Sequence, residues 1–186
     1  MTKFRASYTV LDMWANGNWE GCVRTYFKLD KFVTPGMEWG KRLHEEWHNH
    51  ILETKTLPEV FGSNKLVDPK TEIKVEVSLS DWLDLVGIPD CIDGKTVYEF
   101  KTGKSSSETY ASTYQAGVYG VLATMTDRLV DRAVLCHYDQ YANKSDISYV
   151  WVTDELIRKT SNWIETLSSE VHEYFTQNGL YERYQK

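Results

Sequence analysis

Gly87-Ile88-Pro89-Asp90-Cys91-Ile92-Asp93-Gly94-Lys95-Thr96-Val97-Tyr98-Glu99-Phe100-Lys101 is the stretch that decides the fold. Asp93-Gly94 favours a two-residue hairpin turn, so the reading is a strand from Trp82 to Ile92 returning as a strand from Thr96 to Lys101. With Asp93 and Gly94 as the loop, Ile92 opposes Lys95 and Asp90 opposes Val97. Side chains alternate between faces along a strand, so Val97, Glu99 and Lys101 share one face and Asp90 joins them. Asp90 and Glu99 are then diagonal neighbours about 7–8 Å apart between Cα atoms, close enough for two carboxylates to meet on one divalent cation. Two acids and a lysine on a face otherwise built from Val and Ile are costly without a ligand. The bland alternative is the solvent side of an edge hairpin, where ion pairs are worth little.

Working outward, Ile73, Val75 and Val77 alternate with Lys74, Glu76 and Ser78 as in a half-buried strand, and the three strands make an antiparallel meander. Upstream, Trp39, Leu43, Trp47 and Ile51 recur every four residues as the stripe of a helix over Met37 to Glu53. Ser7 caps a short helix to about Ala15, and Trp19 to Leu29 forms a second. Downstream, Ser107 to Met125 reads as a helix, Ala133 to Tyr138 and Ile147 to Val152 as strands, and Thr153 caps a last helix. That helix carries Leu156, Ile157, Trp163, Ile164, Leu167, Val171, Tyr174 and Phe175 on one face. The expectation is an α/β (α+β) single domain: an N-terminal helical segment over 1–36, a core over 37–152 with a central mixed sheet flanked by helices, and a closing helix and tail over 153–186.

A chain of 186 residues with 41% hydrophobic and 26% charged residues is long enough for one sizeable core. Its net charge of −6 is concentrated in residues 61–100, with 4 Lys and Arg against 8 Asp and Glu. Such a chain is a poor nonspecific binder of nucleic acid, which would have to be held by local contacts or through metal ions. No apolar run approaches the roughly 20 residues of a membrane span, and no apolar run follows Lys3 and Arg5 as in a signal peptide, so no membrane association and an intracellular (cytoplasmic) location are expected. Cys22, Cys91 and Cys136 are odd in number and contain no CxxC pair, which argues against a disulfide framework and a four-cysteine metal site.

Gly87-Ile88-Pro89-Asp90-Cys91-Ile92-Asp93, then Val97-Tyr98-Glu99-Phe100-Lys101-Thr102-Gly103, then Gln115 with Tyr119, resemble the RecB-type exonuclease branch of the PD-(D/E)XK nucleases. Gly40 with His44 resembles that branch's upstream Gly-x-x-x-His element. The four pieces stand in the family's order between residues 40 and 119. An Asp…Glu-x-Lys alone is common by chance, whereas the four together are specific. The resemblance implies a restriction-endonuclease-like core and a metal-dependent deoxyribonuclease acting on single-stranded DNA or DNA ends, in repair or recombination.

Carried over residue by residue, the resemblance implies that His44, Asp90, Glu99 and the backbone carbonyl of Phe100 hold Mg2+ or Mn2+, with Lys101 orienting the attacking water. Gln115 and Tyr119, four apart on a helix, would contact the DNA strand, or else pack in the core. Glu76 would help hold a second metal or Lys101, or else be a solvated strand residue. No iron–sulfur cluster is expected, since family members that carry one place three cysteines after the core and here none follows Cys136.

Rival signals exist. His44-Glu45-Glu46-Trp47-His48 reads as H-E-x-x-H, the zinc metallopeptidase signature, with Glu72 or Glu76 as a distant third ligand. That reading leaves Asp90, Glu99 and Lys101 unexplained, and His48 and His50 are expected on an exposed helix face. Gly103-Lys104-Ser105 looks like the end of a P-loop, but the required earlier glycine is Tyr98, so no nucleotide cofactor and no motor are expected. A stand-alone enzyme, one subunit of an assembly or a homo-oligomer all fit. A third reading is a DNA-binding or assembly module without turnover.

Overall fold

The computed structural model describes residues 3–29, 33–126 and 128–184. In chain order the elements are β1 (Phe4–Ser7), α1 (Tyr8–Ala15), α2 (Trp19–Tyr26), α3 (Pro35–Thr54), β2 (Lys70–Thr71), β3 (Val75–Ser78), β4 (Leu83–Gly87), β5 (Cys91–Asp93), β6 (Thr96–Thr102), α4 (Ser107–Ala111), α5 (Gln115–Thr124), β7 (Arg132–Asp139), β8 (Lys144–Trp151), α6 (Asp154–Gln177) and α7 (Leu180–Tyr184). The expected caps are present, with Ser7 accepting from the Val10 N–H and Thr153 from the Leu156 N–H. The mixed α/β class follows as expected.

The meander does not. The strands form two sheets, β1-β4-β3 and β2-β5-β6-β7-β8. The expected strand from Trp82 to Ile92 is two strands, β4 pairing antiparallel with β3 and β5 pairing antiparallel with β6. The break falls at Ile88-Pro89-Asp90, where Pro89 has no N–H to give a ladder. Just before it, a Cβ on Gly87 would stand 2.5 Å from Leu122 Cδ1, so the chain turns hard against α5. β1, too short to show a period, pairs parallel with β4 from Phe4↔Leu83 to Ser7↔Val86.

The hairpin turn also differs. Ile92 faces Val97 and Asp93 faces Thr96, which leaves Gly94 and Lys95 in the loop. Asp93 stays in the strand because its carboxylate accepts the N–H groups of Val67 and Asp68. The register has moved by two residues, so every side chain keeps its face. Continued one step, it sets Asp90 directly opposite Glu99 rather than diagonal to it.

The expected helix from Ser107 to Met125 is also two. Between α4 and α5, Ser112 and Thr113 hydrogen-bond the carbonyls of Thr109 and Tyr110 through their hydroxyls, and Thr113 Oγ1 accepts the Gln115 N–H. These local bonds compete with the helical ladder.

The five-stranded sheet is covered on both faces. On one, Trp47 and Ile51 of α3 pack with Phe61 on Phe100, Val134 and Cys136. On the other, α5 lays Ala116 against Ala133 and Leu135. The second sheet packs Phe4, Leu83 and Leu85 against α1, α5 and α6, where Phe175, Val171 and Ile164 are fully buried.

Gly117 is where α5 meets α6. A Cβ there would lie 1.9 Å from Thr160 Oγ1 and 2.9 Å from Thr160 Cβ, and Thr160 is fully buried. Gly117→Ala should therefore destabilise by about 1–3 kcal/mol through overpacking, and by clearly less in a Thr160→Ala background. Urea denaturation of the four proteins of this cycle measures both values; equal losses in the two backgrounds would show that this contact does not set the helix spacing.

Candidate active site

Three segments converge at the end of β6. The β6 strand presents Glu99 and Lys101 on the α5 face, the crossing at Pro89 delivers Asp90, and α3 brings His44 and His48. The helix comes this close because of Gly40, where a Cβ would stand 2.6 Å from Thr102 Oγ1. His44 and His48 follow four and eight residues on, along the same helix face.

Asp90 is held from both sides. Its Oδ2 accepts the N–H of Phe100 at 2.7 Å. Its Oδ1 faces two imidazole nitrogens, His44 Nδ1 and His48 Nε2, each at 3.6 Å. Glu99, only 4% exposed, accepts from Gln115 Nε2 at 2.6 Å, from the Tyr119 hydroxyl and from Lys101 Nζ at 3.1 Å. Lys101 also lies over the Tyr110 ring, 5.7 Å from its centroid. The site opens into a groove of about 790 Å³ bordered by Lys41, Glu45, Asn49, Leu52, Glu72 and Thr102.

Burial opposes ionisation of Asp90, but the His44 and His48 imidazoles and the Phe100 N–H outweigh it and hold the carboxyl well below the usual range. Glu99 goes the other way, since burial and then the charge of Asp90 push its carboxyl up. Burial acts to lower the Lys101 ammonium, yet Glu99 and Asp90 raise it on balance and keep it charged. Asp90 likewise raises His48 against the opposing effect of burial. Burial and Glu99 push the Tyr119 phenol well above its ordinary value, so it remains a donor.

The chain's donors suit a divalent cation. His48 Nε2 is buried with no hydrogen-bond partner and points at an ionised carboxylate. His44, His48 and Asp90 offer three ligand atoms within 4.8 Å of one another.

The structure brings His44 and His48 together with Asp90, and Glu99 together with Lys101, Gln115 and Tyr119; the two groups adjoin through β6, where the Phe100 N–H is bound to Asp90. For Glu76 and for Gln115 with Tyr119 the placement agrees with the second of the alternatives that the sequence left open, and for His48 it differs from the expectation. Glu76 lies in the other sheet, ion-paired to Arg5 at 2.8 Å and to Lys74, because β3 and β6 are not neighbours. Gln115 and Tyr119 are 6% and 7% exposed and spend their polar atoms on Glu99 rather than facing a DNA strand. His48 is not on an exposed face: it is 6% exposed, against Asp90 and Glu72. Its spacing from His44 was the available signal, whereas Glu72, from the loop before β3, stood in the sequence only as a distant third ligand of the H-E-x-x-H reading. His50 bonds Thr56 Oγ1 at 3.0 Å.

No family model matches the chain, and no curated protein matches it by sequence. Among solved structures, the protein from Eubacterium rectale titled "Putative exonuclease" is similar with a TM-score of 0.62 at 11% identity, over 95% of this chain and 82% of that one. The alkaline exonuclease LHK-Exo from Laribacter hongkongensis is similar at 0.53 and 14% identity, over 95% and 93%. Its complex with dAMP matches at 0.52. The fold is thus shared with exonuclease structures and is consistent with a restriction-endonuclease-like core.

Because Tyr119 serves Glu99, Tyr119→Phe should destabilise the protein without DNA by about 1–3 kcal/mol, the cost of leaving a buried carboxylate oxygen short of a donor. Chemical denaturation reads the loss directly. An unchanged midpoint would return Tyr119 to the role of a free substrate contact.

Proposed function

We propose that this chain is a metal-dependent deoxyribonuclease of the RecB-type PD-(D/E)XK branch, an exonuclease acting on single-stranded DNA or DNA ends. The observation that carries this reading is the buried, ionised Asp90 facing imidazole nitrogens beside a Glu99–Lys101 pair held by Gln115 and Tyr119. The likeness to exonuclease structures, one of them a complex with dAMP, supports the same reading.

In this reading His44, Asp90, Glu99 and the Phe100 carbonyl hold Mg2+ or Mn2+. Such an ion neutralises charge on a phosphodiester and lowers the pKa of bound water. Lys101 holds its ammonium over the reacting phosphate, orients the attacking water and offsets the negative charge that develops. Gln115 and Tyr119 fix the Glu99 carboxylate so that it costs little reorganisation to use. Phe100 donates its N–H to one oxygen of Asp90 and so leaves the other free to ligate. With a net charge of −6 the chain depends on these local contacts, not on bulk attraction, to hold a polyanion. A stand-alone enzyme and a subunit of a larger assembly are both compatible with it.

The peptidase reading is not favoured. It uses His44 and His48 but gives Glu99, Lys101, Gln115 and Tyr119, a buried network beside the same aspartate, nothing to do.

The test is incubation of end-labelled single- and double-stranded DNA with purified protein in Mg2+, Mn2+ or EDTA. Cleavage is expected with Mn2+ at least as fast as with Mg2+, and none in EDTA. Mn2+ at about 100 times its dissociation constant should also stabilise the fold by ~2.7 kcal/mol, several degrees of melting temperature. Asp90→Asn should lose both effects. Lys101→Ala should keep much of the thermal shift and lose about 10²–10⁴-fold in rate. Zinc-dependent proteolysis with inert DNA would replace this reading by the peptidase, and DNA binding without cleavage under any metal by a binding module.

A further inference from the structure

His48 and Glu72 are not among the cation ligands that the nuclease reading names. His48 is buried, and both its nitrogens face carboxylates: Nδ1 stands 3.2 Å from Glu72 Oε1 and Nε2 stands 3.6 Å from Asp90 Oδ1. Among the described residues Nε2 has no hydrogen-bond partner, a state that is unfavourable for a buried polar atom unless something fills the gap. At 3.6 Å, His44 Nδ1 and His48 Nε2 are both too far from Asp90 Oδ1 to hydrogen-bond it. The spacing is close to what shared ligation gives, because two atoms each about 2.1 Å from one ion stand roughly 3.0–3.5 Å apart at octahedral to tetrahedral angles.

We propose that His48 is a second imidazole ligand of the cation, that Glu72 is its positioning residue, and that the two imidazoles make this site select ions of the Mn2+ and Zn2+ class over Mg2+. The inference rests on the metal-dependent reading for the place of the ion on Asp90.

With a cation between Asp90 and Nε2, the Nε2 lone pair would turn to the ion and the ring proton would sit on Nδ1, where the Glu72 carboxylate stands 3.2 Å away. This is the carboxylate–histidine–metal relation by which outer groups orient ligands. Glu72 is itself fixed for the task. Its N–H donates to the Asp90 carbonyl at 3.2 Å, and its backbone adopts φ +51°, which few non-glycine residues do. The residue that orients His48 is thus tied to the main chain of the residue His48 faces. Mg2+ prefers oxygen ligands and sheds water reluctantly, whereas imidazole suits the later first-row ions, so each imidazole added at the expense of water moves the preference away from Mg2+.

Calorimetric titration of Mg2+, Mn2+ and Zn2+ into the metal-free chain tests this, together with pulsed electron paramagnetic resonance of the Mn2+ complex to count coupled imidazole nitrogens. The wild type should bind Mn2+ at least about 100-fold more tightly than Mg2+ and show two coupled nitrogens. His48→Leu should weaken Mn2+ and Zn2+ by about 10–100-fold, change Mg2+ by less than about 3-fold and leave one coupled nitrogen. Glu72→Gln, at a position 66% exposed in its side chain and so tolerant of change, should reduce the Mn2+ over Mg2+ ratio in the same direction by a smaller factor. One coupled nitrogen in the wild type, or equal weakening of all three ions in His48→Leu, overturns the proposal. An unchanged ratio in Glu72→Gln overturns the role of Glu72. Should His48→Leu fail to fold, the wild-type nitrogen count and Glu72→Gln still decide. Absence of any metal binding by the wild type would instead remove the metal-dependent reading itself.

Discussion

The contact on which the site depends is the hydrogen bond from the Phe100 N–H to Asp90 Oδ2. The β5–β6 ladder ends at Cys91 and Tyr98, two residues short of Phe100. Phe100 is fully buried, so its N–H would be a buried donor lacking a partner once the chain leaves the ladder at Pro89. The Asp90 carboxylate takes the place of the missing strand. One bond thereby closes the frayed hairpin and sets a charge at the junction of α3, β5 and β6.

That placement makes the burial of three charged side chains tolerable. Asp90 is compensated by a main-chain donor and two imidazoles, Glu99 by a phenol, an amide and an ammonium, and Lys101 by Glu99 and an aromatic ring. A buried charge without such partners would be strongly unfavourable. The two carboxylates respond in opposite directions, Asp90 held ionised and Glu99 pushed toward its neutral form, because one is surrounded by donors on an open groove and the other lies deeper beside a like charge. Divergence of this kind between adjacent acids is characteristic of functional sites.

Much of this was legible in the amino acids, for reasons that differ by residue. The four-residue spacing of Trp47 and Ile51 and the caps at Ser7 and Thr153 are local signals, and local signals survive folding. The shared face of Glu99 and Lys101 was readable although the turn was misplaced, because a two-residue slip preserves parity, whereas Asp90 leaves the strand and meets the α3 imidazoles. What stayed hidden was set by distant partners. Val67 and Asp68 capture Asp93 and move the turn, α5 crowds Gly87 and splits the strand, and the separation of β3 from β6 removes Glu76 from the site. Gln115 and Tyr119 were found as a pair, but a spacing cannot tell whether two polar groups face a ligand or a buried carboxylate. His48 was visible as the second histidine of a motif and misjudged, since the helix face it occupies is covered by Asp90, Glu72 and Phe100, which lie more than 20 residues away in the sequence.

The parallel pairing of β1 with β4 bears on the order in which the chain can be assembled. β1 meets strand partners about 80 residues later in the sequence, and Phe4 closes its core against Phe175, about 170 residues later. During synthesis Phe4, Ala6, Val10 and Leu11 therefore stand without most of their burial until α6 has emerged. Such non-local closure is slow, and the exposed apolar surface of the waiting intermediate is what a ribosome-bound chaperone would meet. The β5–β6 hairpin, by contrast, folds from residues within a dozen positions of one another, so it can form before the sheet beside it is complete.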